Sequence, residues 1–112
     1  MNYSPLKGDV IVIDAKSGNI QRHMVVMSSD SYNRKTGLVL AMPITTSDKA
    51  KESPAFYPIL IPGGRSGVKG YVSLAKLQNY DFKARHWRVV NKVSVMQYQD
   101  LLLGVKDMLD IL

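Results

Sequence analysis

Runs of apolar residues separated by polar, turn-forming segments divide the chain into short strands. Residues 8–14, GDVIVID, open with a glycine and then place four β-branched apolar residues in succession, a pattern typical of a strand covered on both faces. Further strands are predicted over residues 22–28, 38–45, 55–62, 68–74 and 86–94. Pro43 lies near the end of the third strand. Because proline has no N–H for the ladder, that end is expected at a sheet edge or a bulge.

The segments between these strands are polar and rich in turn formers. Residues 15–19, AKSGN, predict a glycine-bearing loop that can approach a ligand closely. Residues 29–37 favour either a helical turn or a hairpin connection, and residues 46–54 predict a mobile loop. The glycine-rich turn over residues 63–67 indicates a hairpin between the strands on either side of it.

The hydrophobic period changes at the C-terminus. Apolar side chains recur there at three- and four-residue steps and form one stripe of a helix, made of Tyr98, Leu101, Leu102, Val105, Leu109 and Leu112. Ser94 and Gln97 fit a capping box, which predicts that the helix begins near Val95. Gly104 costs the helix roughly 1 kcal/mol relative to alanine and therefore indicates a close packing contact.

Five or six short strands followed by one helix predict a mainly β fold with α, namely a small, strongly bent barrel with a C-terminal helix packed against it. The 112 residues fit a single domain spanning 1–112, and 46% apolar with 21% charged residues is an ordinary globular composition. The chain has no cysteine, which excludes disulfides, thiolate zinc sites and a cysteine nucleophile. With no signal-like N-terminus and no apolar stretch near ~20 residues, we expect a cytoplasmic protein with no membrane contact.

The charge is unevenly distributed. The net charge is +6 and the isoelectric point is near 9.7. Residues 95–112 contain three aspartates and one lysine, a net charge of −2, so the first 94 residues carry +8. An excess of positive charge favours a polyanion or an acidic protein as the partner, although solubility alone also explains a basic surface.

Common cofactor and metal motifs are absent. The sequence has no glycine-rich dinucleotide or phosphate-loop motif and no His-Glu-x-x-His or Gly-x-Ser-x-Gly element. His23 and His86 are far apart and lack metal-ligand spacing. We therefore expect neither a metal nor a cofactor, and we expect both histidines to be structural or exposed.

Two other groups of side chains can contact phosphate. Arg22, at the entrance of the second strand, can donate two parallel hydrogen bonds to phosphate, although an isolated arginine is commonly just exposed. Thr45, Thr46 and Ser47 cluster hydroxyl groups after Pro43, an arrangement that usually forms a turn. Neither feature alone distinguishes function from ordinary surface structure.

Several short motifs follow one another along the chain: Gly8 to Val10, Arg22 with Met24 to Ser28, Tyr32 with Asn33, Pro43 to Thr45, and Asp81 with Arg85. Taken together, the order of these motifs resembles the MazF/PemK family of toxins from type II toxin–antitoxin systems. The resemblance implies an SH3-like barrel of the MazF/CcdB type that forms a homodimer. It also implies cleavage of single-stranded RNA without a metal, and a cognate acidic antitoxin that fills the RNA groove.

The resemblance also implies roles for particular residues. Arg22 and Thr45 match the catalytic pair, in which an arginine stabilises charge developing on phosphate. RNA-binding positions are expected at Asn19, Gln21, Ser47, Lys76 and Gln78. His23 is an apparent candidate base, but side chains alternate across a strand, so His23 is expected to face away if Arg22 faces the groove.

The sequence departs from the family pattern at several positions. His23 replaces a proline, Lys76 a glutamine, Gln78 an arginine, and Ala75 an acidic residue that some members have, while the loop before Arg22 is shortened. These changes leave open a non-catalytic relative that acts as a binding module, either for an antitoxin or as an inhibitor of a protein target such as DNA gyrase. A plain nucleic-acid-binding barrel is a third possibility.

Overall fold

The computed structural model describes residues 4–14 and 21–109. The helices and strands of this part of the chain are, in order, β1 (Asp9–Asp14), β2 (Gln21–Val26), α1 (Asp30–Thr36), β3 (Leu38–Thr45), β4 (Phe56–Ile61), β5 (Val68–Ser73), β6 (Gln78–Asp81), β7 (Trp87–Lys92) and α2 (Val95–Leu109). Short 3₁₀ turns cover Asp48–Glu52, Gly64–Ser66 and Leu74–Lys76. Neither α-helix in this part is long and apolar enough to cross a membrane.

The strands of the described residues form one curled antiparallel sheet in the order β4-β5-β3-β2-β1-β7, with β6 paired to β3. One edge of β3 pairs with β2, while the other pairs first with β6 and then, from Ile44, with β5. Pro43 lies between the part of β3 that pairs with β6 and the part that pairs with β5. The N–H that proline lacks is therefore missing between these two sets of hydrogen bonds. The sequence predicted an edge or a bulge there, but the position is inside the sheet.

Apolar cores lie on both faces of the sheet, which explains the unbroken apolar run in β1. Val10 packs with Leu101 of α2 on one face, and Ile11 packs with Phe82 on the other. Residues 10–13 are each at most 1% exposed. The prediction of a strand covered on both faces is therefore confirmed.

The C-terminal helix begins as the sequence predicts. The Ser94 hydroxyl accepts from the Gln97 N–H at 3.0 Å, and Gln97 Oε1 accepts from the Ser94 N–H at 2.9 Å. A Cβ added to Gly104 would lie 2.8 Å from Leu74 Cδ1, so the expected close contact is present. The apolar stripe is only partly buried, since Leu109 is 54% exposed, and Leu112 lies outside the described residues.

Asn33, which follows Tyr32 in the sequence, is a buried polar residue that fixes two segments of the chain to each other. Asn33 of α1 is fully buried and donates from Nδ2 to the Pro5 carbonyl at 2.8 Å, while its Oδ1 accepts from the Ser28 hydroxyl. These bonds attach the N-terminal segment to the end of β2. Residues 29–37 thus form a helix, which was one of the two structures that the sequence left open.

Three features differ from the sequence prediction. Strand β6 was not predicted, the expected mobile loop over 46–54 contains the 3₁₀ turn Asp48–Glu52, and β7 contains an irregularity. The register between β1 and β7 shifts by one residue: Val10 pairs with Asn91, whereas Ile11 pairs with Val89, so Val90 has no partner in β1. Such a bulge explains why hydrophobic alternation is imperfect in this strand.

Candidate functional site

Arg22 lies at the start of β2 on the face that carries the Phe82 core. Met24, two residues further on, packs in that core, and side chains two apart share a face, so the exposed Arg22 side chain leaves the sheet on the same side. His23 alternates to the face of Val25 and lines neither of the two pockets described below. Arg22 and His23 therefore face opposite sides, as the alternation predicts.

Thr45 ends β3 on the same side of the sheet. It pairs with Tyr71 of β5, and its Oγ1 accepts a hydrogen bond from the Ser47 N–H at 3.2 Å. Close approach of the two strands depends on Gly70, since a Cβ at that position would lie 2.5 Å from the Thr45 carbonyl oxygen. The turn and the neighbouring strand together hold the Thr45 hydroxyl in place.

Arg22 and Thr45 line one pocket of about 310 Å³, called here the threonine pocket. Ser47, Lys49 and Lys76 line it as well. Within residues 4–14 and 21–109, none of its three cations forms an ion pair. Three uncompensated positive charges beside a hydroxyl donor suit a ligand with several negatively charged oxygens, such as a phosphodiester.

A second pocket of about 380 Å³, called here the tyrosine pocket, adjoins the first and shares Arg22, Pro43 and Lys76 with it. The distinctive residues of its lining are Asp14, Gln78, Tyr80 and Arg85. An Asp14 carboxylate oxygen lies 3.4 Å from Nδ1 of the exposed His86. Because the two pockets share lining residues, they form one depression, and its basic lining residues are Arg22, Lys49, Lys76 and Arg85.

The Tyr80 side chain is half-buried in the wall of the tyrosine pocket. Burial raises the pKa of its hydroxyl, although the positive charges of Arg22 and Arg85 lower it in part. The hydroxyl is therefore protonated at neutral pH and donates to Gln78 Oε1 at 3.2 Å. The contact orients the amide of Gln78 within the pocket.

Most of the predicted site residues come together. Arg22, Thr45, Ser47 and Lys76 line the threonine pocket, and Gln78 lines the tyrosine pocket with Arg22 and Lys76. Asn19 lies outside the described residues, and of Gln21 the structure describes the backbone in β2 but not the side chain.

Sequence reasoning missed Asp14, Lys49 and Tyr80 as site residues. Lys49 stands four residues after Thr45, so its position in the following polar segment was a usable signal. Tyr80 belongs to β6, which lacks an apolar pattern and was not predicted as a strand. Asp14 was interpreted only as the last residue of the first strand. In the described chain, no three His, Asp or Glu side chains are grouped so that they could hold a metal ion.

The curled sheet, the C-terminal helix and the paired pockets define a small β-barrel protein with a cationic depression. The sequence profile of PemK-like, MazF-like toxins of type II toxin–antitoxin systems matches residues 6–109. The chain belongs to this family. No curated protein matches the sequence significantly.

Solved structures of MazF proteins share this fold. MazE–MazF (Form-III) from Deinococcus radiodurans superposes with a TM-score of 0.82 at 23% identity and covers 98% of this chain and 100% of its own. MazF (Form-I) from the same organism gives 0.78 at 21% identity, with 98% and 100% covered. An endoribonuclease in complex with its cognate antitoxin, from a Mycobacterial species, gives 0.75 at 18%, with 97% and 98% covered. These similarities confirm the predicted MazF-type barrel.

Proposed function

We propose that the protein is the toxin of a toxin–antitoxin pair and acts in the cytoplasm as a metal-independent, sequence-specific endoribonuclease on single-stranded RNA. The observation that carries the proposal is that Arg22 and Thr45, from separate strands, line the same pocket. In this proposal, a single phosphate bound in the pocket contacts both side chains. The Mycobacterial relative, itself an endoribonuclease, has the same fold and so agrees with the proposal.

The reaction is attack of a ribose 2′-oxygen on the adjacent phosphorus. The O2′–P bond forms, the P–O5′ bond breaks, the 2′-hydroxyl loses its proton and the leaving 5′-oxygen gains one, so the products are a 2′,3′-cyclic phosphate and a 5′-hydroxyl. Negative charge builds on the non-bridging oxygens in the transition state. Arg22 stabilises it by donating hydrogen bonds and does not act as the base, because a guanidinium group carries N–H donors and no acceptor.

Thr45 is the second donor to this phosphate. Its oxygen already accepts from the Ser47 N–H, which leaves the hydroxyl hydrogen available for a phosphate oxygen. Lys49 and Lys76 add positive charge along the RNA backbone. Because binding neutralises phosphates and releases counterions, affinity for RNA is expected to fall as salt rises.

The partners we propose are a cognate acidic antitoxin and a second copy of the chain. The net charge of +6 supports an acidic partner, and the MazE–MazF structures are toxin–antitoxin complexes of relatives. Support for a homodimer comes from exposed apolar side chains where α2 meets β4: Leu60 (64%), Met96 (74%) and Leu103 (62%). Gln97 donates to the Leu60 carbonyl and brings the two elements together.

A second candidate is a binding module that holds RNA, its antitoxin or a protein target such as DNA gyrase without cleaving RNA. In the described part of the chain no carboxylate or imidazole lines the threonine pocket, and Ala75 occupies the position that is acidic in some family members. Such a pocket binds phosphate readily but offers no obvious base. The absence of a base from the described lining supports a protein that binds RNA without cleaving it, and the positive charges argue against a pocket with no binding function.

Digestion of a long RNA in the presence of EDTA distinguishes the candidates. We expect discrete cuts with 5′-hydroxyl ends, lost in Arg22→Ala and in Thr45→Ala. Matched controls are Arg34→Ala, which removes the same charge from α1, and Thr46→Ala beside the site; both are expected to cleave normally. Intact RNA that is still bound in a salt-sensitive manner would instead support the binding module.

A further inference from the structure

Ser73 has a hydroxyl group that the fold does not use. The residue ends β5 and precedes the 3₁₀ turn Leu74–Lys76, but its side chain makes no capping hydrogen bond to that turn. The residue is only 4% exposed, and its hydroxyl forms no hydrogen bond with the described residues. No fully buried side-chain nitrogen or oxygen in this part of the chain lacks a partner. The Ser73 oxygen is therefore open to a cavity and is not sealed inside the core.

The cavity into which the hydroxyl opens is the threonine pocket. Val72, the preceding residue of β5, packs in the core beneath α2, so the Ser73 side chain leaves the strand on the opposite face. Tyr71, two residues before Ser73, pairs with Thr45, and residues that pair directly share a face. Thr45 and Ser73 therefore point to the same side of the sheet, where both line the pocket.

Apolar side chains surround this part of the pocket. Phe56 of β4 pairs directly with Ser73 and is half-buried, and Pro43 and the buried Ala50 line the same pocket. A hydrogen bond beside apolar groups and away from bulk water is stronger than one at an exposed site. A ligand group that reaches Ser73 is therefore held more firmly than one that reaches Ser47, whose side chain is exposed.

The pocket offers a ligand many donors and few acceptors. Its three cations carry only N–H donors, and no carboxylate, amide or imidazole of the described chain lines it. The Thr45 oxygen already accepts from the Ser47 N–H. A serine hydroxyl can accept two hydrogen bonds and donate one. Ser73 is therefore the acceptor, shielded from bulk water, for an O–H or N–H group that the ligand brings.

A ribonucleotide brings such a group next to its phosphate. The ribose 2′-hydroxyl both donates and accepts hydrogen bonds, and its presence distinguishes RNA from DNA. It is attached to the carbon beside the one that carries the 3′-phosphate, so both groups fit within a pocket of about 310 Å³. The phosphate suits the cations and the Thr45 donor, and the 2′-hydroxyl suits the remaining acceptor.

We propose that Ser73 accepts a hydrogen bond from the 2′-hydroxyl of the nucleotide whose 3′-phosphate contacts Arg22, and that this bond makes the site specific for ribose. A deoxyribose or a 2′-fluoro sugar leaves the Ser73 oxygen without its donor. The position of the phosphate rests on the proposed nuclease function, whereas recognition of the 2′ group is a property of binding and is measured without cleavage.

The test compares two heptauridylates that lack the attacking 2′-oxygen, one with 2′-amino groups and one with 2′-fluoro groups. At pH 8 the uncharged amino group donates hydrogen bonds, and fluorine does not. Fluorescence anisotropy at fixed salt gives the ratio of the two dissociation constants for each protein, so effects of sugar conformation cancel between proteins. We expect the preference for the 2′-amino oligonucleotide to be roughly 3- to 10-fold larger in wild type than in Ser73→Ala. An equal preference would overturn the proposal.

Two further serine variants are matched controls. Ser31→Ala removes a hydroxyl from an exposed position of α1 and is expected to keep the wild-type ratio. Ser47→Ala removes the other serine hydroxyl of the pocket, at an exposed position, and is expected to change the ratio by less than about twofold. A preference that is lost in Ser47→Ala and kept in Ser73→Ala would contradict the assignment to Ser73.

The stability of Ser73→Ala distinguishes a ligand contact from a structural one. Because the hydroxyl has no partner in the described chain, its removal is expected to leave the midpoint of urea unfolding unchanged or to raise it. A clearly lower midpoint would show that the fold itself uses the hydroxyl and would also count against the proposal.

The outcomes separate the two proposals. A 2′-amino preference that depends on Ser73, with no cleavage of natural RNA, would leave ribose recognition standing and overturn the nuclease. Cleavage of natural RNA by Ser73→Ala at the wild-type rate, together with an unchanged 2′-amino preference, would overturn ribose recognition and leave the nuclease.

Discussion

The hydroxyl oxygen of Thr45 accepts a hydrogen bond from the backbone N–H of Ser47, with a nitrogen–oxygen distance of 3.2 Å. The turn that follows β3 therefore decides which way the hydroxyl hydrogen can point. With the oxygen engaged in this bond, the hydroxyl hydrogen of Thr45 is left for a ligand in the threonine pocket, which Arg22 also lines. In the proposed reaction, the Thr45 hydroxyl is the donor whose direction is set before the substrate binds.

Thr45→Val removes the hydroxyl while it keeps the branched shape. We expect the rate of RNA cleavage to fall about 10²- to 10³-fold, the loss typical of a single donor to a developing oxyanion. Thr45→Ser should keep most of the rate, because the serine hydroxyl can accept and donate in the same way. Thr46→Val serves as control; single-turnover rates that fall equally in Thr45→Val and Thr46→Val would argue against a specific role for Thr45.

Lys49→Ala is expected to weaken RNA binding with little sequence dependence. Each phosphate neutralised on single-stranded nucleic acid contributes about 0.7 to the slope of log affinity against log salt. The variant should therefore show a slope shallower by roughly 0.7 in a salt titration. Lys35→Ala, an exposed change on α1 away from both pockets, should leave the slope at the wild-type value.

Gly70→Ala should disturb the site through the backbone. The added Cβ would lie 2.5 Å from the Thr45 carbonyl oxygen, so β5 must move away from β3. Overpacking of this kind costs about 1–3 kcal/mol, which urea unfolding can measure. We also expect slower cleavage under conditions where the variant is fully folded. Lys69→Ala, on the adjacent exposed residue, is the control, and unchanged stability in Gly70→Ala would show that the strands are not held so closely.

Stability is expected to fall at alkaline pH. Burial raises the pKa of Tyr98 above the ordinary value of 10.0, and its hydroxyl donates to the Met27 carbonyl at 2.7 Å. A tyrosine with a raised pKa in the folded state contributes fully below pH 10, and its contribution is lost as the pH rises through that pKa, because the unfolded chain ionises first. Urea unfolding from pH 8 to 11 measures the decline.

Tyr98→Phe provides the comparison for this pH dependence. The variant should be less stable than wild type at pH 8 by about 1 kcal/mol, because the hydrogen bond is lost. It should also lose less stability than wild type between pH 9 and 11. A decline as steep as that of wild type would show that Tyr98 does not contribute to it.

Local patterns predicted the elements that local physics controls. The β-branched run of β1, the Ser94–Gln97 capping box and the glycine at position 104 are each visible as a local pattern in the sequence, although the partners that pack on β1 and on Gly104 are not. Strand β6 could not be predicted in this way, since Gln78, Asn79 and Asp81 are exposed. Its backbone is extended because it pairs with β3, which lies about forty residues earlier in the chain.

The amino-acid sequence by itself predicted six of the seven strands of the described residues and the start of the C-terminal helix, and it identified Arg22 and Thr45 as candidate phosphate contacts. Hydrophobic period, capping and motif order are properties that can be read from the chain itself. The tertiary structure alone decided that these two side chains share a pocket with Lys49 and Lys76, and that Asp14 and Tyr80 adjoin them. Those proximities depend on how β3 changes partner at Pro43 and on how the sheet curls. Both are set by contacts between residues far apart in the chain.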